Sequence, residues 1–123
     1  MELTLHADFL AICRLDASEP TPDWAAGAFV SITRTDVELS IVCDENRVPD
    51  GIPCERSWRW IQVKGILDFS LVGIIAGLTS VLADAGISVF VVSSFDTDVI
   101  LVKQSNLQNA IRVLENSGHS ILR

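Results

Sequence analysis

The stretch Ile87–Lys103, ISVFVVSSFDTDVILVK, decides the fold. Two apolar runs rich in β-branched residues flank a short polar segment, which reads as two strands, Ile87–Ser93 and Asp98–Lys103, joined in a hairpin. The acidic knot Asp96-Thr97-Asp98 leaves three readings open. An Asp-x-Asp pair can hold a divalent cation through hard oxygen ligands, as in a metal-dependent phosphohydrolase. A carboxylate at the mouth of a sheet can clamp an ammonium or guanidinium group. Asp also favours turns, because its carboxylate bonds nearby backbone N–H groups.

Upstream, WRWIQVKG (Trp58–Gly65) has the aromatic and β-branched content of a strand ending at Gly. In FSLVGIIAGLTSVLADAG, Leu71, Ile74, Ile75, Leu78, Leu82 and Ala85 share one helical face. Ser70 is the expected N-cap and Gly86 the expected stop. Downstream, SNLQNAIRVLENSG predicts a second helix, with Ser105 and Gln108 as a capping box and Leu107, Ala110, Ile111 and Leu114 as its buried stripe. HSIL then forms a short strand. The order β-α-β-β-α-β is the split βαβ of ferredoxin-like folds, an α+β architecture with an antiparallel sheet and helices on one face.

The first half is less regular. Phe9–Leu15 reads as a strand, Asp23–Ala26 as one helical turn, and AFVSITR and VELSIVC as two more strands. A polar connection with a turn at Pro49-Asp50-Gly51 follows. This is a βαββ half with shrunken helices. Thr35-Asp36-Val37 recurs as Thr97-Asp98-Val99, an offset of 62 residues, within a shared V-S-x-x-x-T-D-V-x-L pattern. The repeat favours a duplicated unit, with domains at 1–57 and 58–123.

Hydrophobic residues make up 49% of the 123, ample for a core and rich enough to suggest a subunit interface. The helix after Ser70 carries the same message, because its opposite face (Val72, Ala76, Thr79, Ala83) is also uncharged. A helix apolar all round is expected to be buried all round, against the first half or a second copy. The formal charge of −7 repels nucleic acid and anionic membranes, so neither is an expected partner. The longest uncharged stretch, Phe69–Ala83, is shorter than the roughly 20 residues that span a bilayer. MELTLHADFL has no basic n-region, so no signal peptide is expected. Cys13, Cys43 and Cys54 form no Cys-x-x-Cys pair and read as reduced thiols of a cytoplasmic protein. His6 and His119 have no sequence cue placing either beside a nucleophile.

Taken together, VKGILDFSLVGIIAGLTSVLADAGISVFVVSSFDTDVILVK, the helix after it and GHSIL resemble the ACT domain. They are similar in particular to the branch of CASTOR-type arginine sensors and small bacterial proteins made of two ACT-like units. The resemblance is strong over the second half and weak over the first. It implies a regulatory, non-enzymatic module without cofactor or metal, binding an amino acid at an interface between paired units, and a homodimer. Carried over by position, it implies ligand-facing residues at Asp68, Phe69, Ser70, Leu71, Val72 and Gly73, and at Thr97 and Asp98 on the hairpin. Ordinary ACT loops carry their acidic or amide residue closer to the glycine than Asp68 stands from Gly73. An interaction module with a vestigial pocket is the alternative.

Overall fold

A computed structural model describes residues 1–65 and 73–123. The described residues form seven strands, β1 (Glu2–Leu15), β2 (Ser31–Arg34), β3 (Leu39–Asp44), β4 (Cys54–Val63), β5 (Val89–Ser93), β6 (Asp98–Lys103) and β7 (Ser120–Leu122), and two helices, α1 (Ile74–Asp84) and α2 (Leu107–Asn116). The fold is mixed α/β. Two compact units divide the chain, one of Met1–Ala7 with Arg59–Arg123, the other of Asp8–Trp58.

In the first unit the strand order is β7-β1-β4-β6-β5. The start of β1 therefore lies between β4 and β7. It runs parallel to β7, with Glu2 opposite Ser120 and Leu3 opposite Ile121. On its other side the Lys64 N–H donates to the Glu2 carbonyl at 3.0 Å. Leu3, Ile61, Val63, Ile100 and Val102 from the strands meet Leu78 and Leu82 of α1 and Leu107, Ala110, Ile111 and Leu114 of α2 in one core. Burying a side chain of this size contributes about 1.5–3 kcal/mol, so this core is the main support of the unit.

The first helix ends as its glycine predicts. Gly86 has φ 75°, a conformation that costs glycine least. There its N–H donates to the Ala83 carbonyl and the Ile87 N–H to that of Leu82. This seats Ile87 in the core beside Leu82. The starts differ from expectation. A 3-10 turn over Gln104–Asn106 precedes α2, so Ser105 sits inside that turn and no side-chain cap bond forms; the capping box is not made. The expected N-cap Ser70 lies outside the described residues, and α1 begins at Ile74 behind Gly73. On the second face of α1, Ala76 and Ala83 are exposed, and the half-buried Thr79 donates its hydroxyl to the Ile75 carbonyl at 2.8 Å; Val72 lies outside the described residues.

In the second unit the order is β2-β3-β1-β4. β2 and β3 form an antiparallel hairpin, and β3 pairs antiparallel with β1. Ala11, Cys13, Leu39, Ile41, Cys43 and Val48 make its core, with Trp24, Ile52 and Cys54 packed against it. Asp23–Ala26 is a turn rather than a helix, closed by the Ala25 N–H on the Pro22 carbonyl and the Ala26 N–H on that of Trp24. β4 begins at Cys54, four residues before the expected start at Trp58. It takes over the end of the stretch read as a polar connection.

The two hairpins correct the repeat register. Arg34 faces Leu39 across the first turn and Ser93 faces Asp98 across the second. The Thr35 N–H donates to the Glu38 carbonyl at 2.9 Å, as the Ser94 N–H does to that of Thr97 at 2.8 Å. Equivalent positions are thus 59 residues apart (Arg34 to Ser93), not 62. Thr35 opens its turn and Thr97 closes the other, so the recurring Thr-Asp-Val falls on non-equivalent positions. Asp98 corresponds to Leu39, not to Asp36.

Candidate functional site

The β5–β6 hairpin is a four-residue turn fastened from both ends. The Ser94 hydroxyl donates to the Thr97 carbonyl at 3.1 Å and accepts from the Thr97 N–H at 3.3 Å. Thr97 is the buried polar residue among those described. Its hydroxyl donates to the Val63 carbonyl at 2.9 Å. This bond ties the hairpin to the last residue of β4. Only Lys64 and Gly65 separate Val63 from the segment 66–72. Lys64 is paired with Glu2 at 3.4 Å.

Asp98 is half-buried, and its Oδ1 accepts the Ser93 hydroxyl at 2.6 Å, across the pair that closes the hairpin. Asp96 is exposed at the turn, beside Phe95, which is 80% exposed. The two carboxylates of the knot therefore have different surroundings, one held in the hairpin and one in solvent. Among the described residues no group of three His, Cys, Asp or Glu side chains is arranged to hold a metal ion.

Of the residues singled out from the sequence, Thr97 and Asp98 stand on the closing side of this hairpin, and Gly73 immediately precedes α1, with φ 80°. Asp68, Phe69, Ser70, Leu71 and Val72 lie outside the described residues. The partners Val63 and Ser93 were missed. Ser93 had a readable signal, five residues before Asp98 across a four-residue turn. Val63 had none, because its carbonyl belongs to a strand 34 residues away from Thr97.

A second polar cluster was not anticipated. The His6 ring stacks on Trp60 with centroids 3.6 Å apart and planes within 10°. Its Nε2 lies 2.9 Å from Gln62 Oε1. Arg59 donates to Gln104 Oε1 at 2.9 Å and to the His6 carbonyl at 3.2 Å. His6 thus has aromatic and amide neighbours. A cleft of about 490 Å³ runs along α2, lined among others by Leu5, Ile111, Arg112, Glu115 and Arg123; neither Thr97 nor Asp98 lines it.

The model of the ACT domain family matches residues 54–116, and a second family model, that of an N-terminal domain, matches residues 8–51. The chain belongs to the ACT domain family. It is similar to the crystal structure of protein Atu0741 from Agobacterium tumefaciens, with 43% identity and a TM-score of 0.93 over 98% of this chain and 91% of that one. A Vibrio cholerae protein of unknown function, described as a possible transport protein, shares 21% identity with a TM-score of 0.77 over 94% of this chain and 88% of that one. The ligand-free regulatory subunit of aspartate kinase from Thermus thermophilus shares 10% identity, with a TM-score of 0.66 over 94% and 97% of the two chains. At the last two identities the likeness is one of fold. No curated protein matches. No helix among the described residues is long and apolar enough to cross a membrane.

Proposed function

We propose that this protein is a non-enzymatic regulatory module that binds a small amino acid or a related metabolite. The proposed contacts are Asp68, Phe69, Ser70, Leu71, Val72 and Gly73 with Thr97 and Asp98. The observation that carries this reading is the bond from the Thr97 hydroxyl to the Val63 carbonyl, which fastens the hairpin to the strand leading into segment 66–72. A helix start offers N–H groups and a positive dipole end to a carboxylate, and Asp98 offers a negative charge to an ammonium group. The two together suit a zwitterion. Family membership and the regulatory role named for the Thermus relative support the same reading. The division into two ACT-like units near residue 58, by duplication, belongs to this proposal and is supported by the matching closure of the two hairpins. So does a cytoplasmic location.

A thermal-shift screen of the common amino acids tests it, with arginine first because a cation suits the acidic hairpin. A ligand at 100 times its dissociation constant stabilises by about 2.7 kcal/mol. No shift with any amino acid at millimolar concentration sinks the proposal for a free amino acid.

The exposed Ala76 and Ala83 on α1 favour a second reading, that this helix packs against a second copy of the chain. Light scattering after size exclusion decides it: a dimer at tens of micromolar is expected, and a monomer removes it.

A further inference from the structure

Three strands of the second unit bring all three cysteines of the chain into one small core. Cys13 is on β1, Cys43 on β3 and Cys54 at the start of β4. β1 lies between the other two strands. All three thiols are free, Cys13 and Cys43 buried and Cys54 half-exposed.

The strand registers separate the three pairs. The Arg14 N–H donates to the Pro53 carbonyl at 3.0 Å, which places Cys13 directly opposite Cys54 at a pair without its own backbone bonds. Cα atoms at such a pair are about 4.5 Å apart, inside the roughly 4.4–6.8 Å range of disulfides. Cys43 instead faces Ala11, while Cys13 faces Ile41, so Cys13 and Cys43 are diagonal neighbours. Diagonal Cα atoms lie about 7–8 Å apart, at or beyond the reach of a disulfide. Cys43 and Cys54 sit on either side of β1, two strand spacings apart and two residues out of register, which is more than about 9–10 Å. The Cys43 thiol instead donates to the Asp44 carbonyl at 3.6 Å.

We infer that Cys54 and Cys13 form an oxidation site, at which a hydroperoxide converts the two thiols to a cross-strand disulfide linking β4 to β1. Cys54, the half-exposed thiol, meets the oxidant. Its sulfur takes one peroxide oxygen and becomes a sulfenic acid, while the other oxygen leaves as water or an alcohol. The Cys13 sulfur then attacks the Cys54 sulfur, the S–O bond breaks, and the hydroxide leaves with the Cys13 proton as water. Two thiols are oxidised by two electrons and one peroxide is reduced. Burial pushes the Cys13 thiol up to about 12, with the neighbouring Cys54 and Cys43 adding to the rise. Cys13 is therefore not the first to react; its place opposite Cys54 makes it the resolving partner.

The experiment is hydrogen peroxide treatment of the full chain, blocking of remaining thiols with a maleimide under denaturing conditions, and tryptic mapping without reductant. Cleavage at Arg14, Arg34, Arg47 and Arg56 puts the three cysteines in three separate peptides. The expected product is a mass two hydrogens lower, one blocked thiol at Cys43, and the peptide of Cys13 joined to that of Cys54. Cys43→Ser should leave the cross-link intact. Cys13→Ser should stop the reaction at a Cys54 sulfenic acid that dimedone captures. A Cys13–Cys43 link, a predominant link between two chains, overoxidised Cys54 without any link, or three blocked thiols after treatment would each overturn the inference.

Discussion

The Thr97 hydroxyl donates to the Val63 backbone carbonyl at 2.9 Å, and both residues are buried. One side chain thereby sets where the hairpin end stands relative to the end of β4. Thr97→Val keeps the shape and removes the donor. The loss is expected to be about 1–3 kcal/mol, the cost of a buried acceptor left without this partner. Thr97→Ser keeps the hydroxyl and should lose less. Urea unfolding of both variants measures the difference, and equal losses would show that the methyl group rather than the bond matters.

Asp98→Asn separates clamp from turn. The amide oxygen can still accept from Ser93, so the hairpin should lose only what a charge-assisted bond adds over a neutral one, about 1 kcal/mol. If Asp98 holds an ammonium group, affinity for the amino acid identified by thermal shift should fall at least tenfold by calorimetry. Unchanged affinity would return Asp98 to turn duty alone. Leu39, not Asp36, is its counterpart in the other hairpin, so Asp36→Asn serves as a surface control and not as an equivalent site.

Gly27 has φ 132°, and a Cβ there would stand 2.5 Å from Asp44 Oδ2. Gly27→Ala is expected to cost about 1–3 kcal/mol, from backbone strain and the displaced carboxylate. Asp44→Ala in the same chain should recover the part due to the clash, leaving the strain. Guanidinium denaturation of the single and double variants reads both parts.

His119 gives a pH dependence with a definite sign. Burial, with a smaller contribution from the N-terminal ammonium group, lowers its pKa below the usual histidine value of 6.5, and its Nδ1 has no hydrogen-bond partner among the described residues. The unfolded chain therefore takes up a proton at higher pH than the folded one. This contribution to stability is complete above about 6.5 and is lost as pH falls through the lowered folded value. The melting temperature should drop on acidification across that window. His119→Gln, which cannot ionise, should flatten that part of the profile; an unchanged profile would show that other groups set it.

Local chemistry made the second half legible. Helical spacing from Ile74 to Leu82 and from Leu107 to Leu114 needs only its own stretch of chain, because each helix satisfies its backbone internally and shows its buried face every third or fourth residue. The stops at Gly86 and Gly118 are equally local. The hairpin Ile87–Lys103 could be placed, since apolar runs on either side of a polar turn have few other ways to pair. What remained closed depended on partners far away in sequence. The pairing of Glu2 with Ser120, the bond from Thr97 to Val63 and the meeting of Cys13 with Cys54 are choices of register between distant strands. A strand repeats every two residues and exposes the same backbone groups at each step, so its sequence alone does not name the neighbour. For the same reason the repeated Thr-Asp-Val misled by three residues: letters recur freely in turns, and only the cross-strand pairs Arg34–Leu39 and Ser93–Asp98 show which positions correspond.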